Sequence, residues 1–489
     1  MSAGHDDESD STAVSKRITA SDLIPYFGSG LMVLIALVMI IVKPLSNSID
    51  DVAQLMLGGL LITLSVWIFK PFSLPYSAGG FFLGAFALAI GIKPAVVFAG
   101  FTQSAIWTLV PALFFGYTLQ KTGLGKRIAL AIIRLFKPSY LTLVVAWAII
   151  GVILSILTPS ITVRVAIIMP IAVQCTKLCQ LQEGSKGNSL ILLTAFGMAL
   201  IPGSGWLTGA LWGPIISGMV NAVPETQGLV TFDSWLGVLF VPTMLVTALL
   251  ICGSLLLLKP KEGLSADAID SIKNEPQAKL SKGEKTAGLI LVAVFVMFVT
   301  SSLHGIPDAA LCLAAVFALF LFRVLDTSDL SVGANWDLVI FIAMALSLNA
   351  IFTETGISAW LAGIIVPALA PIANNPFIFV IAAVTIMFLW RFVDVAFFIP
   401  TMAIMVPILP AIYDAYQINP LVWLAVFVMA ANSFLMNYQN AWAMMSVSIA
   451  GESAWKNQHL ALYGAVYIAA CLVSLAVMVP IWINAGFFG

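Results

Sequence analysis

LTPSITVRVAIIMPIA, residues 157–172, is apolar enough for lipid, yet it carries Pro159, three hydroxyl side chains and Arg164. Proline cannot continue a helical hydrogen-bond ladder. A fixed charge near a bilayer centre costs about 2.5–3.5 kcal/mol on insertion scales. Backbone freed by a breaker at membrane depth is tolerated only where protein or a water-filled cavity supplies partners. The stretch therefore reads as the tip of a broken element whose carbonyls and hydroxyls face a site.

The rest of the chain agrees with a membrane setting. Of its 489 residues, 61% are hydrophobic and only 9% charged, against about 25% charged in an ordinary soluble domain. This is the composition of an all-α polytopic membrane protein, whose partner is the lipid bilayer. The net charge of −1 carries no message, and without a basic patch nucleic-acid binding is disfavoured. Cys175 and Cys179 share a helix face but have no further Cys or His near them, so packing is preferred to metal binding.

The start, MSAGHDDESDSTAVSKRITASDL, is polar and acidic. It lacks the basic region and apolar core of a cleaved signal. Residues 1–27 read as a cytoplasmic tail. Residues 28–258 form a first half, 259–285 a polar cytoplasmic linker, and 286–489 a second half. Basic residues gather at Lys16 and Arg17, from Lys121 to Lys137, at Lys177 and Lys186, and along Lys259–Lys285, whereas 222–233 and 354–375 have none. If 140–178 and 376–415 are re-entrant hairpins, the basic loops fall on one side, with Lys43 and Lys93 as exceptions. That arrangement has eleven crossings, with the N-terminus cytoplasmic and the C-terminus outside; if every hairpin arm crossed fully, the count would rise by four and the charges would still balance. A multi-pass location in the inner (plasma) membrane is expected. Two further runs, 188–221 and 420–453, are interrupted by IPGSGWLTG and NSFLMNYQNAW.

The halves share landmarks. LQKTGLGKRIA (119–129) matches FTETGISAWLA (352–362), IIMPI (167–171) matches IMVPI (404–408), and GSGW (203–206) sits opposite QNAW (439–442). The offsets agree at about 235 residues, which marks a duplication. Five crossings separate equivalent points, so the repeat is of inverted topology. Secondary transporters built this way bind substrate and coupling ion at broken elements near the midplane. Here those are Thr158–Arg164 with Pro202–Trp206, and Arg391–Thr401 with Asn437–Trp442.

Three charges lie inside apolar sequence: Arg164, Arg391 and Asp394. Arg164 has no acidic residue within ten positions. It is either an anion anchor, its planar fork matching carboxylate or sulfonate oxygens, or a structural partner for a remote carboxylate or helix-end carbonyls. Arg391 and Asp394 are three apart and could form a local ion pair. Alternatively Asp394 binds or titrates with a cation while Arg391 faces the substrate. Asn437, Gln439 and Asn440 add amide groups at the second break. Trp206 and Trp442 pack the breaks or wall the substrate.

These elements, in this order from about Leu57 onward, resemble the divalent anion:sodium symporter family, closest in pattern to its citrate/succinate-type members. TLQKTGLGKRIAL and FTETGISAWLA are similar to the family's repeated Thr-Gly-Leu stretches, SITVRVAIIMPI to its hairpin tip, and IPGSGWLTG and MNYQNAW to its helix breaks. The resemblance implies an elevator-type fold on a dimeric scaffold. It also implies Ser160 and Thr162 at the first tip, a basic position at Arg164, and Gly203 and Gly205 near a first ion. Two departures stand out. Ile161 replaces the motif's Asn, and FFIPT (397–401) replaces its second Ser-Asn-Thr. Phe and Ile offer no side-chain oxygen to a hard cation. Anion exchange without sodium, or proton coupling through Asp394, then stands beside sodium symport.

The leading expectation is a secondary transporter of small organic or inorganic anions, such as di- or tricarboxylates, sulfate or sulfonates. Ser160, Thr162, Arg164, Arg391, Thr401, Asn437 and Asn440 are its candidate substrate residues. Ser160, Gly203, Gly205 and Asp394 are its candidate ion residues. No cofactor is expected beyond Na+ or H+ as coupling ion, and the likeness implies a homodimer. The alternative is a cation/proton antiporter built on Asp394. An enzyme is disfavoured: the three His lie at positions 5, 304 and 459, and no nucleophile–base set is visible.

Overall fold

A computed structural model describes residues 20–137, 139–260, 263–265, 279–451 and 454–489. Most of the expected tail and linker lies outside the described residues. The regular structure of the described residues is helical, apart from one isolated β-bridge, Ile418 to Phe488. Among the described residues, eight helices are long and apolar enough to cross a membrane, and several apolar helices of 10–17 residues accompany them.

The duplication is visible as a repeated order of elements. Helix Ser104–Thr122 ends on Gly123 at φ 78° and leads into Leu124–Arg134. A two-armed hairpin follows, Tyr140–Leu157 and Ile161–Leu178, then a broken helix, Lys186–Leu200 and Trp212–Asn221, and the long helix Phe232–Leu257. In the second half, Trp336–Glu354 is followed by Gly356 at φ 72° and Ile357–Ala373. The hairpin Pro376–Trp390 and Ile399–Tyr416, the broken pair Pro420–Ala431 and Ala441–Ala450, and the long helix Asn457–Asn484 complete it. The two Thr-Gly pairs are thus equivalent left-handed turns, a conformation glycine adopts without steric cost.

Ion pairs show that the halves run in opposite directions. Lys121, at the end of Ser104–Thr122, pairs with Asp326 at 3.0 Å and with buried Asp329, just before Trp336–Glu354 begins. At the other end Gly100 donates to Ser347 Oγ at 2.9 Å, and Lys93 lies 3.5 Å from Glu354. Equivalent helices are therefore antiparallel, as inverted topology requires.

Both hairpin tips are inside the protein. A link between two full crossings would lie at the surface, where backbone groups meet water. Thr158 and Ser160 are instead buried, as are Ala396 and Phe398. The first tip packs on the middle of Ser104–Thr122. A Cβ on Gly116 would meet Thr158 Oγ1 at 2.8 Å and Ser160 Cβ at 2.9 Å, so only glycine lets the tip approach this closely. Pro159 ends the first arm. Ser160 caps the second, its hydroxyl accepting from Val163 N at 3.4 Å. The second tip turns through Phe397 and Phe398 at φ 56° and 62°. Such values are outliers for bulky residues, held only where surrounding packing imposes them.

Candidate functional site

Each arginine ties its hairpin tip to the broken helix of the same half. Arg164 is fully buried. Its Nε donates to Ala199 O at 2.7 Å, and Nη1 donates to Thr158 O at 3.1 Å and to Gly209 O. Thr158 is the tip; Ala199 and Gly209 flank the Gly/Pro break. Arg391, also buried, donates from Nη1 to the main-chain oxygen of Asp394 at the second tip and from Nη2 to Gln439 O at the second break. A guanidinium presents five N–H groups in a rigid fork and keeps its charge when buried, which suits it to gather carbonyl oxygens.

The local ion pair considered for Arg391 and Asp394 is replaced by this main-chain contact. The Asp394 carboxylate turns to its own tip, accepting from Thr401 N at 3.1 Å, Thr401 Oγ1 at 2.5 Å and Ala396 N at 3.2 Å. Thr401 Oγ1 in turn accepts from Trp390 Nε1 at 2.9 Å. Asp394, Thr401 and Trp390 also border a largely apolar crevice of about 480 Å³ against Leu64 and Ile68.

The breaks are held by side chains. Gly203 and Gly209 pack so closely that a Cβ on Gly203 would strike Gly209 O and lie 2.9 Å from Arg164 Nη1. Gly205 points elsewhere, toward Met244 and Thr243 of Phe232–Leu257. Trp206 Nε1 donates to Ser155 O at 3.3 Å, and Trp235 Nε1 to Ser204 O at 3.1 Å. Asn432 joins the halves, donating to Ser204 Oγ and accepting from Trp212 Nε1, both at 2.8 Å. At the second break Asn440 caps Ala441–Ala450 through its oxygen, bound by Trp442 N at 3.1 Å and Ala443 N at 3.3 Å. Asn437 is engaged by Trp455 Nε1 at 3.2 Å.

Trp442 is the meeting point of both halves. Its Nε1 donates to Thr162 Oγ1 at 3.1 Å, and its ring lies 6.0 Å from that of Trp212 and 5.4 Å from that of Phe397. Thr162 is exposed. Arg164 Nη2, Arg391 Nε and Asn440 Nδ2 are buried donors with no acceptor among the described residues. Of the residues singled out in the sequence, Ser160, Thr162, Arg164 and Gly203 lie at the first tip and break, Arg391, Asp394, Thr401, Asn437 and Asn440 at the second, and Gly205 faces away toward Phe232–Leu257. Sequence reasoning had no means of finding Ala199 and Gly209, or that Gln439 would serve through its main chain, because a main-chain oxygen is carried by every residue.

Inverted repeats, buried tips and paired helix breaks are the architecture in which secondary membrane transporters are built. The chain matches the family described as "Sodium:sulfate symporter transmembrane region" over residues 27–486, and it belongs to that family. It is 26% identical to the L-tartrate/succinate antiporter of Escherichia coli (strain K12), covering 68% of each chain. It is also 26% identical to the putative malate transporter YflS of Bacillus subtilis (strain 168), over 65% of this chain and 67% of that one. The YdaH transporter of Alcanivorax borkumensis shares the fold, with a TM-score of 0.59 at 15% identity over 82% of this chain and 90% of that one. The resemblance read from the motifs is thereby confirmed, and the protein is an anion transporter of this family.

Proposed function

We propose that this protein exchanges small divalent organic anions across the inner membrane without sodium. One observation carries the reading. In each half, carbonyl oxygens from tip and break converge on a guanidinium, and such oxygens are the ligands a hard cation would otherwise take. A tethered positive charge then stands where a coupling ion would, and needs no gradient. Succinate, malate and tartrate are the substrates named for the relatives, and dicarboxylates fit a site with two buried arginines. Their oxygens would meet Thr162 and the unpartnered donors Arg164 Nη2, Arg391 Nε and Asn440 Nδ2. Buried donors without acceptors are costly, and an anion rich in acceptors satisfies them.

The two tips and two breaks, cross-linked by Arg164, Arg391, Asn432 and Trp442, form one rigid body that moves as an elevator against the remaining helices. The chain works as a homodimer with its N-terminus in the cytoplasm, in keeping with the basic loops on one side. The alternative, a cation/proton antiporter using Asp394, has less support, because the carboxylate's donors are Thr401 and Ala396 of its own tip. The deciding experiment is succinate counterflow in proteoliposomes with sodium replaced by choline at constant pH. Undiminished exchange is expected; an absolute sodium requirement overturns the reading.

A further inference from the structure

The segment KPFSLPY, residues 70–76, joins helix Asp51–Phe69 to helix Tyr76–Ala89. Three of its non-glycine residues are left-handed: Lys70 at φ 47°, Phe72 at 54° and Ser73 at 56°. Lys70 also precedes Pro71, a position that favours extended backbone. Such a cluster of disfavoured conformations persists only where the surroundings hold it, and is found most often at functional sites.

The surroundings here are specific. Asp337, in the first turn of Trp336–Glu354, accepts from Tyr76 N at 3.3 Å and Ser77 N at 2.7 Å, capping Tyr76–Ala89 from the other half of the chain. The Asp337 charge is thereby engaged. Lys70 makes no ion pair with any carboxylate among the described residues. Its ammonium sits 3.4 Å from the centroid of the Tyr76 ring instead, a cation–π contact that brings no counter-ion of its own. Burial lowers the Lys70 ammonium from the ordinary lysine value, with Asp337 pulling the other way.

Tyr76 leads directly to the site. Its ring stacks on Phe341 at 5.0 Å and meets Phe397 of the second tip at 5.5 Å. Phe397 meets Trp442, which holds Thr162 of the first tip. A cation without an ion-pair partner among the described residues thus lies at one end of an aromatic wall whose other end holds Thr162 of the candidate anion site.

We propose that Lys70 is a further anion-binding residue, which meets an incoming dianion outside the hairpin tips and favours divalent over monovalent organic acids. A lysine that merely reached for the membrane surface would need neither the ring beneath it nor the left-handed backbone. This inference rests on the anion-exchange reading.

The test is Lys70→Asn, since asparagine accepts left-handed backbone better than lysine and should fold at least as well; Lys70→Arg is its companion. Counterflow of succinate and of lactate is measured in proteoliposomes for wild type and both variants. Loss of one charge–charge contact at partial exposure predicts that Lys70→Asn raises KM for succinate about tenfold. The maximal rate should stay within about twofold, lactate should be nearly unaffected, and Lys70→Arg should restore the wild-type KM. An unchanged succinate KM in Lys70→Asn overturns the proposal, as does an equal rise for lactate. Absence of counterflow in the wild type would instead overturn the exchange reading itself.

Discussion

Removing the Arg164 guanidinium tests whether it stands in a cation's place. Arg164→Ala takes away donors to Thr158 O, Ala199 O and Gly209 O. Hydrogen bonds to a charged group contribute about 1.5–3 kcal/mol each, and a buried acceptor left unsatisfied costs about 1–3 kcal/mol. Water entering the vacated volume relieves part of that, so the expected net loss is about 3–5 kcal/mol. Arg164→Lys keeps the charge but not the fork, and should lose about 2 kcal/mol. The vacated cage leaves carbonyl oxygens from tip and break pointing at one space, which is a cation site. With a Kd near 1 mM, 100 mM sodium would return about 2.7 kcal/mol to Arg164→Ala. The assay is unfolding of purified protein in detergent, in sodium against choline, for wild type and both variants. Sodium should stabilise Arg164→Ala and leave the wild type unmoved. Equal stabilisation of the wild type, or an alanine variant as stable as wild type, would refute the reasoning.

Three other expectations follow from the same contacts. Gly203→Ala should abolish transport and lower stability, because its Cβ would meet Gly209 O, Ser155 Cβ at 2.7 Å and Arg164 Nη1 at 2.9 Å; normal counterflow would show that the break is looser than described. Asp394→Asn should cost about 2–3 kcal/mol, since an amide has one oxygen in place of a carboxylate's two and its NH2 would face donors; pH-driven uptake in wild type, lost in this variant while exchange survives, would reinstate proton coupling at Asp394. The loop carboxylate Asp326 is held down at about 2 by hydrogen bonds from Ser328 and then Lys121. Its folded value lies below the unfolded one, so its stabilising contribution is present above about pH 4 and is lost as pH falls toward 2. Unfolding between pH 5 and 2.5 should be steeper in wild type than in Asp326→Asn.

The membrane class, the four breaks and the duplication were all legible in the sequence. Hydropathy and helix breakers act locally, and a repeat leaves its landmarks wherever the chain goes. The matched Thr-Gly pairs became equivalent left-handed turns at Gly123 and Gly356. Thr158–Ser160 became a buried turn, and Ser160 caps the helix that follows. Arg164 and Arg391 were marked as exceptional by the cost of charge in lipid.

What they bind was decided only by tertiary structure. Sequence considered a remote acidic partner, an anion or helix-end carbonyls for Arg164; the fold brings carbonyls from Ala199 and Gly209, 35 and 45 residues away, to Nε and Nη1, and leaves Nη2 without an acceptor among the described residues. Sequence spacing allowed an Arg391–Asp394 side-chain pair, and the turn at Phe397 and Phe398 directed the carboxylate to Thr401 instead. The meeting of Thr162 with Trp442, 280 residues apart, has no local signature. A main-chain oxygen is the same group in every residue, so its use as a ligand is invisible until folding brings it to one point. Side-chain identity announces where charge must be explained; only packing says which oxygens answer it.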